Sequence, residues 1–559
     1  MKRLFEHKYT KYLVLVLTCF VFDACKKFDL PPNDELSSGV VNQSTANLDG
    51  IINSGYGRLI AQGPPTVNSS SVFDMALYAE AMGATRTVFP SPQSGANAAT
   101  NLMYNFSMQP DNVFLARLSR NLYVPIASAN STLFYINNTP PADSEFSRQK
   151  DRLMGEAYFI RGLCFFYAAR FWAHQYGHNT NTSGGGILLP LEPSIDGSAG
   201  VKRATIQETY DQIISDLQQA AALLPVAYDA NIHGAFPAYR FRANKAAALA
   251  VLARVYFQQA TPASYQLAKE TIDKVIGNTP GTITGTPETG NRVYSLQNDI
   301  TLPFNSTGFT APPANSEEIL RLVNSTTATA GYTNASINIT NESGGNPQSR
   351  GAARWFLNRP TPNPPSNTAV TTSPLFDDVV NDRRFTQLTF NNAFAGAIGN
   401  QRLTQKWGFQ TQATLIGMQT FPLIRAAELV ITRAEINAVQ GNTALALDDY
   451  NLIRRRAITG YVNRTLLDPA IGGTQAGLIA EIVRERQREL LFEGFDFWSW
   501  KRMSAYNAAN GAIYPASQVA PLTRGTSTFE WNSNRTLLKF HVDDLTLNFQ
   551  VGLEAQNPN

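Results

Sequence analysis

Residues 244–277, NKAAALAVLARVYFQQATPASYQLAKETIDKVIG, carry two runs of helical periodicity that meet at Thr261-Pro262. Proline is tolerated in the first turn of a helix and breaks an interior, so one run ends there and the next begins. Small residues alternate with bulky ones along both runs, and the length resembles the roughly 34 residues of a tetratricopeptide unit. A second pair of the same build fills residues 423–457, LIRAAELVITRAEINAVQGNTALALDDYNLIRRRA, with Gly441 at its break. Helical pairs of this kind bury their apolar faces by stacking on one another, which commits the chain to a mainly α scaffold.

Other segments extend the scaffold. Residues 148–176 alternate bulky Leu153, Tyr158, Phe159, Phe165, Phe166 and Phe171 with small Gly155, Ala157, Gly162, Ala168 and Ala169. Small residues let neighbouring helices approach closely, and the aromatic rings fill the space between them. Leu118, Leu122, Ile126 and Leu133 form a stripe within 113–137. Thr205 and Glu208 have the spacing of a capping box ahead of Ile206, Tyr210, Ile213, Ile214 and Leu217, and Pro225 marks the stop. From Gly477, GLIAEIVRERQRELLFEGFDFWSWKRM reads as one more strong helix. Residues 61–105 and 278–420 lack sustained helical periodicity, and residues 503–559 read as an irregular tail. The helical scaffold is therefore expected at about 106–277 and 421–502, with few short strands elsewhere. Specificity is expected in the two irregular regions, because binding residues concentrate on loops held by a rigid frame.

The amino end constrains location. Lys2, Arg3, Lys8 and Lys11 stand against a single Glu6, and Tyr12 to Phe22 are an apolar run too short to span a bilayer as a helix. Residues 1–24 thus read as a signal peptide ending at Ala24-Cys25, which resembles a bacterial lipobox whose cysteine takes the lipid. Phe22 and Asp23 depart from the usual leucine and small residue. A plain secretory signal and an uncleaved apolar anchor are the alternatives.

Composition excludes other classes. Without residues 1–24 the net charge falls from +3 to about +1, which gives no electrostatic case for nucleic acid. Charged residues are 16 % of the chain, below the ~25 % typical of soluble domains, which suits an extracytoplasmic, loop-rich protein. Cys19 leaves with the signal and Cys25 is the proposed anchor, so Cys164 alone remains and no intramolecular disulfide framework is available. Cys164 sits between Leu163 and Phe165 and reads as a small core residue. His174, His178, His233 and His541 have no zinc-type spacing. The sequence indicates no cofactor and no metal site; calcium is compatible with it but not indicated.

The ordered segments GEAYFIRGLCFFYAARFW, GGILLPLEP with KRATIQETYDQIISDLQQAAALLP, KAAALAVLARVYF, NDRRF, LIRAAELVITRAEINA with DDYNLIRRRA, and RERQRELLFEGFDFWSWKRM carry a resemblance. Together with the terminal EAQNPN they resemble the SusD/RagB family of nutrient-binding outer-membrane lipoproteins of Bacteroidetes, over nearly the whole chain. The end, LKFHVDDLTLNFQVGLEAQNPN, departs from the family's usual Pro-Ile-Pro segment. The resemblance implies a single domain over residues 25–559: a superhelix of tetratricopeptide-like pairs supporting an irregular ligand-binding lobe. It also implies a lipid-anchored, surface-exposed lid on a SusC-type TonB-dependent transporter. Such a lid captures an oligosaccharide, or in some members a peptide, without covalent chemistry.

Sugar recognition needs flat apolar faces beside hydrogen-bonding groups, because a pyranose offers C–H patches and a rim of hydroxyls. In the first irregular region the candidates are Tyr78, Arg86, Phe89, Tyr104 and Asn105. In the second they are Tyr294, Tyr332, Asn334, Trp355, Phe356 and Asn358, with Trp355 in RGAARWFLNRP the strongest. Trp172 and Trp407, beside repeat helices, are expected to be structural. Two competing classes are weighed. Glu489 and Glu493, one turn apart, have the spacing of an acid/base pair for a polysaccharide hydrolase; the simpler reading is a helix locked by ion pairs, and Arg425, Glu428 and Arg433 read the same way. Tetratricopeptide pairs also serve as pure interaction scaffolds.

Overall fold

A computed structural model describes residues 43–60, 72–83, 89–90, 102–193, 201–233, 242–305, 317–323, 355–356, 373, 375–393, 400–404, 406, 420–548 and 552–558. Helices dominate them: α1 (Thr45–Ile60), α2 (Val72–Gly83), α3 (Val113–Asn138), α4 (Phe146–Trp172), α5 (Ile206–Leu223), α6 (Lys245–Gln259), α7 (Pro262–Ile276), α8 (Ala426–Val439), α9 (Thr443–Ala457), α10 (Gln475–Glu489) and α11 (Asp496–Asn510). From α3 to α9 each helix packs on its successor in the chain, and α10 returns onto α8, which makes a stack of antiparallel pairs. Both helical pairs break where the sequence places them. Thr261 caps α7 with Pro262 at the first position, and Gly441 between α8 and α9 has φ +83°.

Close approach follows the small residues. A Cβ on Gly162 would lie 3.0 Å from Leu217 Cγ, and one on Gly155 2.9 Å from Leu224 Cγ, so α4 and the end of α5 touch backbone to side chain. Thr205 closes the expected capping box with Glu208. A continuous apolar core extends from Leu48 in α1 to Leu545 near the carboxyl end, and Cys164 is wholly buried in it. The last residues are fastened to the scaffold: Asn557 Nδ2 donates to Trp172 O at 2.9 Å, and Arg203 Nη1 donates to Ala555 O at 2.9 Å. Trp172 is structural, stacked on Phe540 with ring centroids 5.5 Å apart. Trp407 lies outside the described residues, as do Cys25 and the whole signal segment.

Among the described residues the strands form four two-stranded antiparallel ribbons. β1 (Phe89–Pro90) pairs with β3 (Trp355–Phe356), β2 (Glu318–Val323) with β6 (Thr420–Arg425), β4 (Thr389–Ala393) with β5 (Asn400–Thr404), and β7 (Leu522–Arg524) with β8 (Ser527–Phe529). The β2–β6 ribbon ties an interior stretch of the long irregular region, Glu318–Val323, to the segment at its end that leads into α8.

Three expectations need correction. The first irregular region contains α2, whose VFDMALYAEAMG is apolar nearly all round and so shows no amphipathic period. The helix expected from Gly477 through Met503 is two helices, interrupted at Leu490–Phe495 where Phe492 (φ +63°) and Gly494 (φ +82°) are left-handed. The tail contains the end of α11 and the β7–β8 hairpin.

Candidate functional site

The β1–β3 ribbon joins the two irregular regions. Phe89 stands opposite Phe356 and Pro90 opposite Trp355, so three aromatic candidates chosen from segments more than 260 positions apart meet at one backbone ribbon. β5 lies beside β3 and β4 beside β5, extending the lobe. Tyr104 ends a single helical turn at 102–104 and Asn105 begins the turn after it, ahead of α3. Tyr104 is partly buried, with the Arg524 guanidinium 4.5 Å from its ring centroid and Arg524 Nε donating to its carbonyl at 3.2 Å, while Asn105 is exposed. Arg86, Tyr332, Asn334 and Asn358 lie outside the described residues.

Two tyrosine candidates are corrected. Tyr78 in α2 is 5 % exposed and Tyr294 is 0 % exposed, so both rings belong to the core. Tyr294 packs with the Arg292 guanidinium 5.0 Å from its centroid. Neither offers a face to a ligand.

The charged helix α10 and the turn after it form a buried network. Arg425 Nη1 lies 2.7 Å from Glu317 and 2.6 Å from Glu489, and its Nη2 lies 2.8 Å from Glu493. Lys406 Nζ meets Glu493 at 2.7 Å, and Arg384, from the NDRRF segment, meets Asp382 at 2.7 Å, Glu485 at 2.7 Å and Glu489 at 3.1 Å. Arg456 also pairs with Glu489. Burial by itself would raise the pKa of Glu489, but Arg456, Arg425 and Arg384 outweigh it and hold the carboxyl well below the usual range. The same contest, with Arg425 and Lys406 prevailing, lowers Glu493, and Arg384, Arg454 and Arg488 bring Glu485 down to about 2. A general acid must hold a proton near neutral pH, and neither Glu489 nor Glu493 does. The pair is an ion-pair lock. Arg425, Glu428 and Arg433 are inter-element locks too: Glu428 is bidentate with Arg254 at 2.7 and 2.6 Å, and Arg433 pairs with Asp449 at 2.7 Å.

Sequence reading missed Glu317, Asp382 and Lys406 as members of this network. Each comes from an irregular segment where no period announces burial, although NDRRF, with Asp382 beside Arg383 and Arg384, was the available signal. Among the described residues no cluster of His, Cys, Asp and Glu is arranged to hold a metal ion, and no helix is long and apolar enough to cross a membrane.

Comparison with known proteins places this architecture. A family model described as starch-binding and associating with the outer membrane, SusD-like, matches residues 41–257, and the SusD family model matches residues 379–543. The two matches follow one another along the chain and together cover more than half of it; the chain belongs to the SusD family. A SusD superfamily protein from Bacteroides thetaiotaomicron VPI-5482 has a similar fold, with TM-score 0.66 and 19 % identity over 92 % of this chain and 99 % of its own. A SusD-like carbohydrate binding protein from Bacteroides vulgatus ATCC 8482 gives TM-score 0.64 and 17 % identity over 92 % and 98 %. Surface glycan-binding protein A from Bacteroides uniformis gives TM-score 0.64 and 15 % identity over 92 % and 99 %. No curated protein matches the chain at the level of sequence.

Proposed function

We propose that this protein is a non-catalytic, lipid-anchored binder of oligosaccharides at the cell surface that passes its ligand to a SusC-type TonB-dependent transporter. The pairing of Phe89–Pro90 with Trp355–Phe356 carries the reading, because it assembles aromatic residues from both loop regions at one place on a rigid helical frame. Family membership supports the class of ligand, and the carbohydrate- and glycan-binding names of two structural neighbours agree with it. Cys25 supplies the anchor, residues 26–34 a polar tether, and the ligand contacts come from Trp355 and Phe356 with Phe89 on the paired strand, Tyr104 and Asn105 being further candidate contacts. Electrophoresis in native gels containing soluble polysaccharides tests it. At least one polysaccharide retards the protein, and Trp355→Ala removes the retardation while leaving the far-ultraviolet spectrum unchanged. Retardation that survives Trp355→Ala and Phe356→Ala together contradicts the assignment of the lobe.

A further inference from the structure

A groove of about 1380 Å³ lies between α3 and α5, and none of its described lining residues belongs to the β1–β3 ribbon. One wall is the face of α3 that carries Ser119, Arg120, Tyr123 and Asn130. The other is Glu208, Asp211, Gln212 and Ser215, whose spacing places them on one stripe of α5. Between the walls runs the non-helical stretch 187–193, bridged at Leu188 to Arg203.

This stretch shows how the groove holds a polypeptide. Helix side chains grip its carbonyls: Tyr123 Oη donates to Leu188 O at 3.0 Å, and Asn130 Nδ2 donates to Pro190 O at 3.0 Å and Glu192 O at 3.4 Å. The Asn130 amide is itself held, because Arg161, paired with Asp216 at 2.7 Å, donates to Asn130 Oδ1 at 2.9 Å. The gripped carbonyls face α3, which leaves the α5 side of the groove open, with Leu191 39 % exposed along it.

The lining selects among occupants. Its volume exceeds the roughly 300–1,000 Å³ of small-molecule sites. Among the described lining residues the rings are those of Tyr123, which is buried with its hydroxyl engaged, and His541, which is 9 % exposed, so neither a Trp nor an open Tyr or Phe face is offered to a sugar. Glu192, Glu208, Asp211, Asp543 and Asp544 line it against Arg120, Lys202 and Arg203, and Arg203 is spent on the carbonyls of Gly186, Trp172 and Ala555. Among the described lining residues the surplus charge is negative. We propose that this groove docks an extended, lysine- or arginine-bearing segment of a partner protein, laid alongside residues 188–192 with its cations on the α5 carboxylates.

The test uses the mature chain and a fluorescein-labelled ten-residue peptide alternating lysine with valine, followed by anisotropy. Saturable binding is expected, weakened by added salt and weakened about ten-fold in the double variant Glu192→Gln with Asp211→Asn. Both positions are exposed, so the fold is retained, which circular dichroism checks. Trp355→Ala leaves the binding unchanged, and soluble oligosaccharides do not compete. The proposal is overturned if the peptide does not bind, if a glutamate–valine counterpart binds equally, or if the double variant binds as well as the parent. Loss of binding in Trp355→Ala, or displacement by an oligosaccharide, equally overturns it by moving the occupant to the ligand lobe or changing its class.

Discussion

Arg425 is the residue on which three buried carboxylates depend, and it sits at the join of β6 and α8 where two parts of the scaffold meet. Removing one member of a buried ion-pair network strands the others, at about 3–5 kcal/mol. Arg425→Met is therefore expected to lower unfolding stability by that amount in urea titration. Lys501 presents the opposite case. It is 2 % exposed, its ammonium reaches, among the described residues, Thr536 O at 3.5 Å and the Phe497 ring at 5.2 Å, and burial brings its pKa down to about 7. The unfolded chain keeps this lysine protonated up to about pH 10.4, so between the two values the unfolded state binds more protons and stability rises with pH. Lys501→Met is expected to raise the urea midpoint at pH 7 and to lose that advantage progressively toward pH 10. Legibility differs sharply at this scale. The ion-pair role of Glu489 could be read from the density of opposite charges around it. The burial of Tyr78 and Tyr294 could not, since a tyrosine has the same apolar ring and polar tip whether it packs or binds, and its neighbours come from remote segments.

At the scale of elements, caps and breaks were legible where a residue type forces a backbone shape, as at Thr205, Pro262 and Gly441. The break between α10 and α11 was hidden because its cause is tertiary. Gly494 is left-handed, a Cβ there would lie 2.6 Å from Ala76 Cα in α2, and its N–H donates to Glu80 at 2.7 Å. Gly494→Ala is expected to destabilise by more than about 1 kcal/mol, since it combines an unfavourable φ with a backbone clash. Circular dichroism melts against Gly511→Ala, where φ is +88° and no atom lies within 4 Å, separate the clash from the dihedral cost. The groove between α3 and α5 was equally hidden, because GGILLPLEP gives no hint of the side chains that grip it.

For the whole molecule, the ordered helical pairs were enough to place the chain in its family, since each pair fixes its own partner and the stack follows from their succession. The long loops were not legible beyond their role, because residues without a period are placed by the surface they cover. The proposed anchoring rests on a single thiol: if Cys25 carries the lipid, Cys25→Ser moves the protein from the outer-membrane fraction to the soluble fraction and removes the mass of the lipid. The central claim, glycan capture without chemistry, is tested most directly by titration calorimetry of the mature chain against a broad panel of oligosaccharides, with reducing ends assayed in the same samples. The account predicts saturable binding of at least one oligosaccharide, lost in Trp355→Ala, with no release of reducing ends. Absence of binding across the panel, together with saturable binding of a peptide library that Trp355→Ala abolishes, would contradict it.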